Sequence, residues 1–377
     1  MFAAMTTHTF AARLFTCALL VVIFVFPSAL AAGQDRVILF NSGVAGSNNS
    51  LSSGDIREFE VTQGGRTWSL VRRVSLPGHL GRSPVALADG SRLLWLAGTG
   101  ISAAVLVQYD IATARVSVVD IGVFDRVAFL VADPSARRIA IIEPTRVTFV
   151  DSRLQPYAVG LPGPKVNRSA AAADGYIVVL RSSDVIRSSE TEADVVLINA
   201  VTAEVVRTFP VPGRYSKDIR LSRDGQRLYH KYAAEVFVSD RIEVRSVATG
   251  ALLAHETVGY STSSFFELDE ARGVVLTNED FRDVTDRQRF VARDMTTLAV
   301  VGDLRSARYE WYFRHSFALA VTPNEGTLLL LSGGDHPYFF DHMNSRRVDV
   351  FDRRTYALVN QFDVRGCCIA IIPLPRR

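Results

Sequence analysis

Cationic side chains recur at one place in a repeating sequence pattern. Arg82, Arg126 and Lys217 each stand seven residues before an aspartate in a turn (Asp89, Asp133 and Asp224), and Arg168 stands six before Asp174. Arg314 and Arg365 take looser versions of the same place farther along. Cations that converge on a concave mouth favour carboxylate, phosphate or sulfate ligands, because guanidinium groups present paired donors. The commoner use of surface arginine is local pairing with an acid of the next element, such as Asp125 or Asp218. Both uses stay open from the residues alone.

Three other groupings carry chemistry. Asp335-His336 and Asp341-His342 place two carboxylate–imidazole pairs six residues apart. These are proper ligand types for zinc or another transition metal, yet a site needs three or four ligands, so a solvated loop competes with a metal site. Cys367 and Cys368 are adjacent, and a bridge across one trans peptide is strained, since its Cα atoms lie about 3.8 Å apart. The competing expectation is two small buried hydrophobes at a strand start. Glu279, Asp280 and Asp283 gather acid on what reads as a solvated loop. Gly-x-Ser-x-Gly and Cys-x-x-Cys-His do not occur, and Trp68, Trp95 and Trp311 follow no repeat position, which speaks against attached haem or a tryptophan-docked quinone. No cofactor is expected.

The elements that must position these residues follow a unit of about 45 residues. The unit has four short apolar strands, with a tight Asp-Gly type turn after the first. The turn positions 89, 133, 174, 224, 269 and 324 are spaced by 44, 41, 50, 45 and 55 residues. A second signature lies between the third and fourth strands: Asp110-x-x-Thr113, Asn199-x-x-Thr202, Ser246-x-x-Thr249, Asp294-x-x-Thr297 and Asp352-x-x-Thr355. A short acceptor at its first position can bond the backbone two or three residues on. Four strands that cannot bury both faces alone must stack on copies of themselves, as in a β-propeller. First strands are expected at 85–89, 127–133, 170–174, 219–224, 265–269 and 317–324. The opening unit lacks one, and Cys368-Ile369-Ala370-Ile371-Ile372 at the other end supplies it. The expectation is an all-β, seven-bladed β-propeller closed three-plus-one by the C-terminal strand.

With strand, Asp-Gly turn, strand and Asp-x-x-Thr turn in that order, the chain resembles the YVTN-type propellers of exported bacterial proteins and the wider lactonase-like seven-bladed group. Val275-Leu276-Thr277-Asn278 is the best match to the naming motif, and Val321-Thr322-Pro323-Asn324 is similar to the first-strand turn. The resemblance implies extracytoplasmic binding or scaffolding; its motifs specify a fold rather than a reaction.

Arg13, an apolar run from Leu14 to Phe26 and Ala29-Leu30-Ala31 read as a signal peptide over residues 1–31, with an uncleaved anchor as the alternative. Residues 32–377 are then one secreted or periplasmic domain with no membrane span, expected to be a monomer. A net charge of +3 without a basic block argues against nucleic acid. Long insertions at 45–54, 182–194, 279–288 and 333–345 elaborate one face, where a rigid scaffold presents function. The main expectation is a non-enzymatic propeller binding an anionic ligand or an extracytoplasmic protein on that face. Tyr309, Trp311, Tyr312 and Phe313 beside Arg308 would suit a protein partner. The alternative is a lactonase-like or other metal-assisted hydrolase using Asp, Glu and His of that face.

Overall fold

The computed structural model describes residues 35–41, 54–62, 64–76, 81–87, 89–98, 103–125, 127–133, 138–151, 155–161, 163–173, 175–183, 192–212, 216–235, 239–259, 266–281, 287–304, 316–322, 326–333, 345–365 and 368–374. Residues 1–31 therefore lie outside the described residues. No helix among those described is long and apolar enough to cross a membrane.

Among the described residues the chain forms a β-propeller of six four-stranded sheets and one five-stranded sheet, all antiparallel. Blade 1 takes Asp35–Asn41, Asp55–Thr62 and Thr67–Ser75, and its innermost strand is Cys368–Leu374 from the other end of the chain. Blade 2 is Gly81–Ala86, Arg92–Gly98, Ala103–Asp110 and Arg115–Val118, with Phe124–Asp125 added beside its third strand. Blade 3 is Phe129–Asp133, Arg138–Ile142, Arg146–Val150 and Pro156–Gly160. Blade 4 is Lys165–Ala173, Tyr176–Ser183, Glu192–Asn199 and Val205–Pro212. Blade 5 is Ser216–Leu221, Arg227–Glu235, Ser239–Ser246 and Leu252–Gly259. Blade 6 is Phe266–Asp269, Val274–Phe281, Arg287–Asp294 and Val300–Leu304. Blade 7 is Ser316–Val321, Thr327–Gly333, Ser345–Asp352 and Leu358–Arg365. Each innermost strand touches those of the two adjacent blades, so the ring closes around a central channel.

Burial explains why second strands such as Asp35–Asn41 and Arg92–Gly98 are continuously apolar rather than alternating. Val37 and Leu39 pack toward blade 7 with Val348 and Val350, while Ile38 and Phe40 pack toward blade 2 with Trp95 and Tyr109. Both faces are covered, so both parities must be hydrophobic. The outermost strands are half covered and mostly exposed, as in Thr67–Ser75 and Leu252–Gly259.

All five Asx-type turns form. Asp352 Oδ1 accepts from the backbone of Arg354 and Thr355 and from Thr355 Oγ1, and Asp294 repeats this with Thr296 and Thr297. Asp110, Asn199 and Ser246 make the same kind of contact. The fifth residue of every copy is left-handed: Ala114, Ala203, Gly250, Leu298 and Tyr356. The second residue donates its N–H to the turn between strands one and two, as Met295 does to Gly273 and Arg353 to Gly326. Blades 2, 4, 5, 6 and 7 are thereby tied at their plain end.

The inner strands begin earlier than the apolar runs suggest in blades 2, 4 and 5, at Gly81, Lys165 and Ser216, and later in blade 3, at Phe129. The reason is a β-bulge near the first turn of the strand. Register shifts fall between Arg82 and Val85, Asn167 and Ser169, Ser216 and Asp218, and Ser316 and Ala318. A bulge breaks period-two patterning, so polar residues there look like loop.

Candidate functional site

The bulges change how the regularly spaced cations must be understood. Arg168 and Lys217 are the bulged residues of their inner strands, not parts of the loops leading in. Lys217 is committed: its Nζ lies 2.7 Å from Asp240 Oδ1 and 2.9 Å from Oδ2, with the side chain 14% exposed. Arg168 is exposed and its Nε donates to Ser182 Oγ at 3.3 Å. Arg82 and Arg365 have placed backbones, opposite Leu96 and Ser345, but their side chains lie outside the described residues, as do Arg126 and Arg314 entirely. Asp335, His336, Asp341, His342 and Cys367 lie outside them too, along with the side chain of Cys368. Among the described residues, no group of three or more His, Cys, Asp or Glu could hold a metal ion.

Glu279 corrects the expectation of a solvated acidic loop. It belongs to the strand Val274–Phe281, is 1% exposed, and receives Arg293 Nε and Nη2 at 2.8 and 3.1 Å and Thr277 Oγ1 at 2.7 Å. The ladder with Arg287–Asp294 simply runs farther than the apolar residues announce.

Two polar clusters lie among the strands of blades 4, 5 and 6. The first spans three inner strands. Ser169 Oγ donates to Asp218 at 2.9 Å, Asp218 pairs with Arg220 at 2.7 Å, and Arg220 Nε lies 3.6 Å from Glu267. Arg220 also sits over the Phe266 ring, 5.5 Å from its centroid. These side chains are 14–31% exposed, so they reach the channel wall. Loss of water raises the carboxyls of Asp218 and Glu267 above the ordinary range even though Arg220 pulls both down. Two carboxyls and one guanidinium on adjacent inner strands, with little water around them, are suited to proton transfer beside a polarising cation.

The second cluster lies on the blade 4 side of blade 5. Ser216 Oγ is 3.0 Å from His230 Nε2, and His230 Nδ1 is 3.2 Å from Glu243 Oε1. Arg245 holds Glu243 from behind at 2.7 and 3.2 Å. Burial alone would push Glu243 up, but the His230 and Arg245 contacts outweigh it and hold the carboxyl below the ordinary range. The Tyr232 ring stacks on the imidazole at 5.0 Å. Neither cluster is visible in the sequence, because its cross-strand contacts join residues 13 to 49 apart that meet only through strand register.

No protein-family model matches the chain, and no curated protein matches it by sequence. Solved structures do. A candidate 6-phosphogluconolactonase from Bacteroides fragilis aligns with 90% of this chain and 98% of its own at 13% identity and a TM-score of 0.61. One from Bacteroides uniformis aligns with 90% and 99% at 14% identity and a TM-score of 0.61. The periplasmic gluconolactonase of Pseudomonas aeruginosa aligns with 91% and 99% at 14% identity and a TM-score of 0.60. At identities this low the alignments establish a shared β-propeller fold alone. The names of these neighbours run against the expectation of a non-enzymatic binding propeller, which is withdrawn in favour of the lactonase-like alternative.

Proposed function

We propose that the chain is an exported hydrolase that opens a small polyhydroxy lactone at the channel face of blades 4, 5 and 6. The observation that carries this reading is Arg220 held between Asp218 and Glu267 on adjacent inner strands. Ring opening of a lactone develops negative charge on the carbonyl oxygen and then on the departing ring oxygen. A guanidinium in a water-poor channel stabilises the first charge, and a carboxyl raised toward the working pH can protonate the second. The gluconolactonase names of the structural neighbours support the substrate class, and the periplasmic one supports export, as does the apolar segment after Arg13. This reading places the chain among the YVTN-type relatives of that group. Anionic substituents on the lactone would face the proposed cationic rim, of which Arg168 is the exposed, described member.

The test is base-titrated hydrolysis of glucono-δ-lactone and 6-phosphogluconolactone by protein lacking residues 1–31. Hydrolysis above the spontaneous rate is expected. Glu267→Gln should lower kcat/KM by about 10²-fold, the ordinary size of a general acid–base contribution. Rates at the spontaneous level for both lactones sink the proposal.

A further inference from the structure

We propose that Ser216 is an acyl-accepting nucleophile, activated by His230 and oriented through Glu243. Its substrate class rests on the lactone reading above; the assignment of the nucleophile rests on the hydrogen-bond geometry and on an ionised Glu243. Glu243 is held as a carboxylate and can only accept, so Nδ1 of His230 carries the proton at their 3.2 Å contact. In the neutral imidazole Nε2 is then a bare acceptor, to which Ser216 donates at 3.0 Å in preference to the Pro212 carbonyl, its longer contact at 3.4 Å. This is the relation of nucleophile, base and orienting acid that defines a serine triad irrespective of chain order.

Exposure divides the three residues as a working triad requires. His230 and Glu243 are 0% and 2% exposed, whereas Ser216 is partly open at the first residue of the blade 5 inner strand. The bulge at Lys217 lets Ser216 stand opposite Tyr232 while Asp218, two residues on, stands opposite Lys231. Ser216 therefore shares a face with His230, and the Asp218–Arg220–Glu267 cluster starts beside it on the same strand. Arg245, which also bonds the Gly250 carbonyl at 3.1 Å, fixes Glu243 against rotation.

The step balances without any external oxidant or reductant. Ser216 Oγ attacks the lactone carbonyl carbon and its proton passes to His230 Nε2. The C–O bond to the ring oxygen breaks, that oxygen takes a proton from the raised carboxyl assigned above, which is reprotonated from His230, and an open-chain hydroxyacyl ester remains on Oγ. Water then attacks the ester with His230 as base, the Oγ–C bond breaks, and Ser216 recovers its proton as the hydroxy acid leaves.

The experiment is incubation of the folded protein with a fluorophosphonate, followed by intact mass and peptide mapping, beside lactone hydrolysis. One phosphonyl adduct per chain is expected, on Ser216, absent in Ser216→Ala and formed about 10²-fold more slowly in His230→Gln. Ser216→Cys keeps the shape of the site, and its thiol should take iodoacetamide faster than the same thiol in Ser216→Cys/His230→Gln. No adduct on Ser216 in the parent protein overturns the assignment, as does an adduct rate indifferent to His230→Gln. An adduct on Ser216 without lactone hydrolysis upholds the nucleophile and removes the lactone reading. Lactone hydrolysis undiminished in Ser216→Ala removes the nucleophile and leaves that reading standing.

Discussion

Lys231 carries an ammonium group to a place with no exposed surface, between blades 5 and 6. Its partner Asp240 is 3.6 Å away and already holds Lys217 at 2.7 Å, so two cations share one carboxylate. Burial pulls Lys231 down to about 8; Asp240 opposes this, and the Lys217 charge adds to it. Between that value and the ordinary lysine value near 10.4, the unfolded chain holds a proton that the native chain has released. Stability must therefore rise with pH across that window. Chemical denaturation at about pH 7.5 and about pH 9.5 should give a gain on the order of 1 kcal/mol in the parent protein. Lys231→Met leaves Asp240 paired with Lys217, whose own value burial also lowers, and should shrink that gain to the part Lys217 contributes; parallel pH dependences in the two proteins would contradict the assignment. At this scale the sequence was only partly legible. Lys217 stands out by its spacing, but its commitment to Asp240, 23 residues on, comes from cross-strand register. Ser216, His230 and Glu243 gave no signal, because a triad assembled across three strands has no local motif.

Turns were legible for the opposite reason: every interaction that builds them lies within five residues. The Asp-x-x-Thr pattern announces itself because the carboxylate, the hydroxyl and the two N–H groups it binds are consecutive. Only Gly250 marks the left-handed position that follows, since Ala, Leu or Tyr occupies it in the other copies. Those side chains stay because Leu298 and Tyr356 are buried against the next blade, which offsets the cost of positive φ. Strand starts were illegible wherever a bulge interrupts alternation, which is why Arg168 and Lys217 read as loop. Asp352 offers the element-scale test. Its own burial would raise its carboxyl, but the Thr355 and Arg354 donors outweigh this and hold it below the ordinary range. Stability from this turn is thus present above the ordinary aspartate value and lost as pH falls through the lowered one. Asp352→Ala should cost about 1 kcal/mol near neutrality, or about 2 °C in Tm for a domain of this size. The difference between parent and variant should shrink on acidification toward about pH 2. A difference that stays constant with pH would place the contribution elsewhere.

Closure of the ring is a property of the whole chain, and it was legible because the opening repeat lacks a first strand while the tail offers one. The pairing is extensive: Arg36 to Asn41 run antiparallel to Leu374 to Cys368. Ile371 faces blade 7 beside Ala320, Val348 and Val350, while Ile372 and Leu374 face blade 2 beside Ile38, Phe40 and Trp95. One strand therefore supplies core to two interfaces as well as a ladder to blade 1. Each fully buried aliphatic side chain contributes about 1.5–3 kcal/mol, so the strand's apolar burial is comparable with the total stability of an ordinary domain. Its loss would also expose the edge of Asp35–Asn41, a flat apolar strand whose free hydrogen-bonding groups invite another chain. Ending the chain after Arg365 should consequently yield protein that associates through that edge and lacks a cooperative thermal transition. Ile372→Ala, which keeps the ladder, should remain cooperative and cost about 2–4 kcal/mol. A truncated chain that stays monomeric by light scattering and melts as sharply as the parent would mean that the tail is dispensable to the ring. The same comparison bears on the channel, since innermost strands that touch in sequence around an axis fix one another's spacing. Opening the ring at blade 1 should relax the Asp218–Arg220–Glu267 span on the far side, and lactone hydrolysis should fall with the loss of closure although every residue of the cluster is still present.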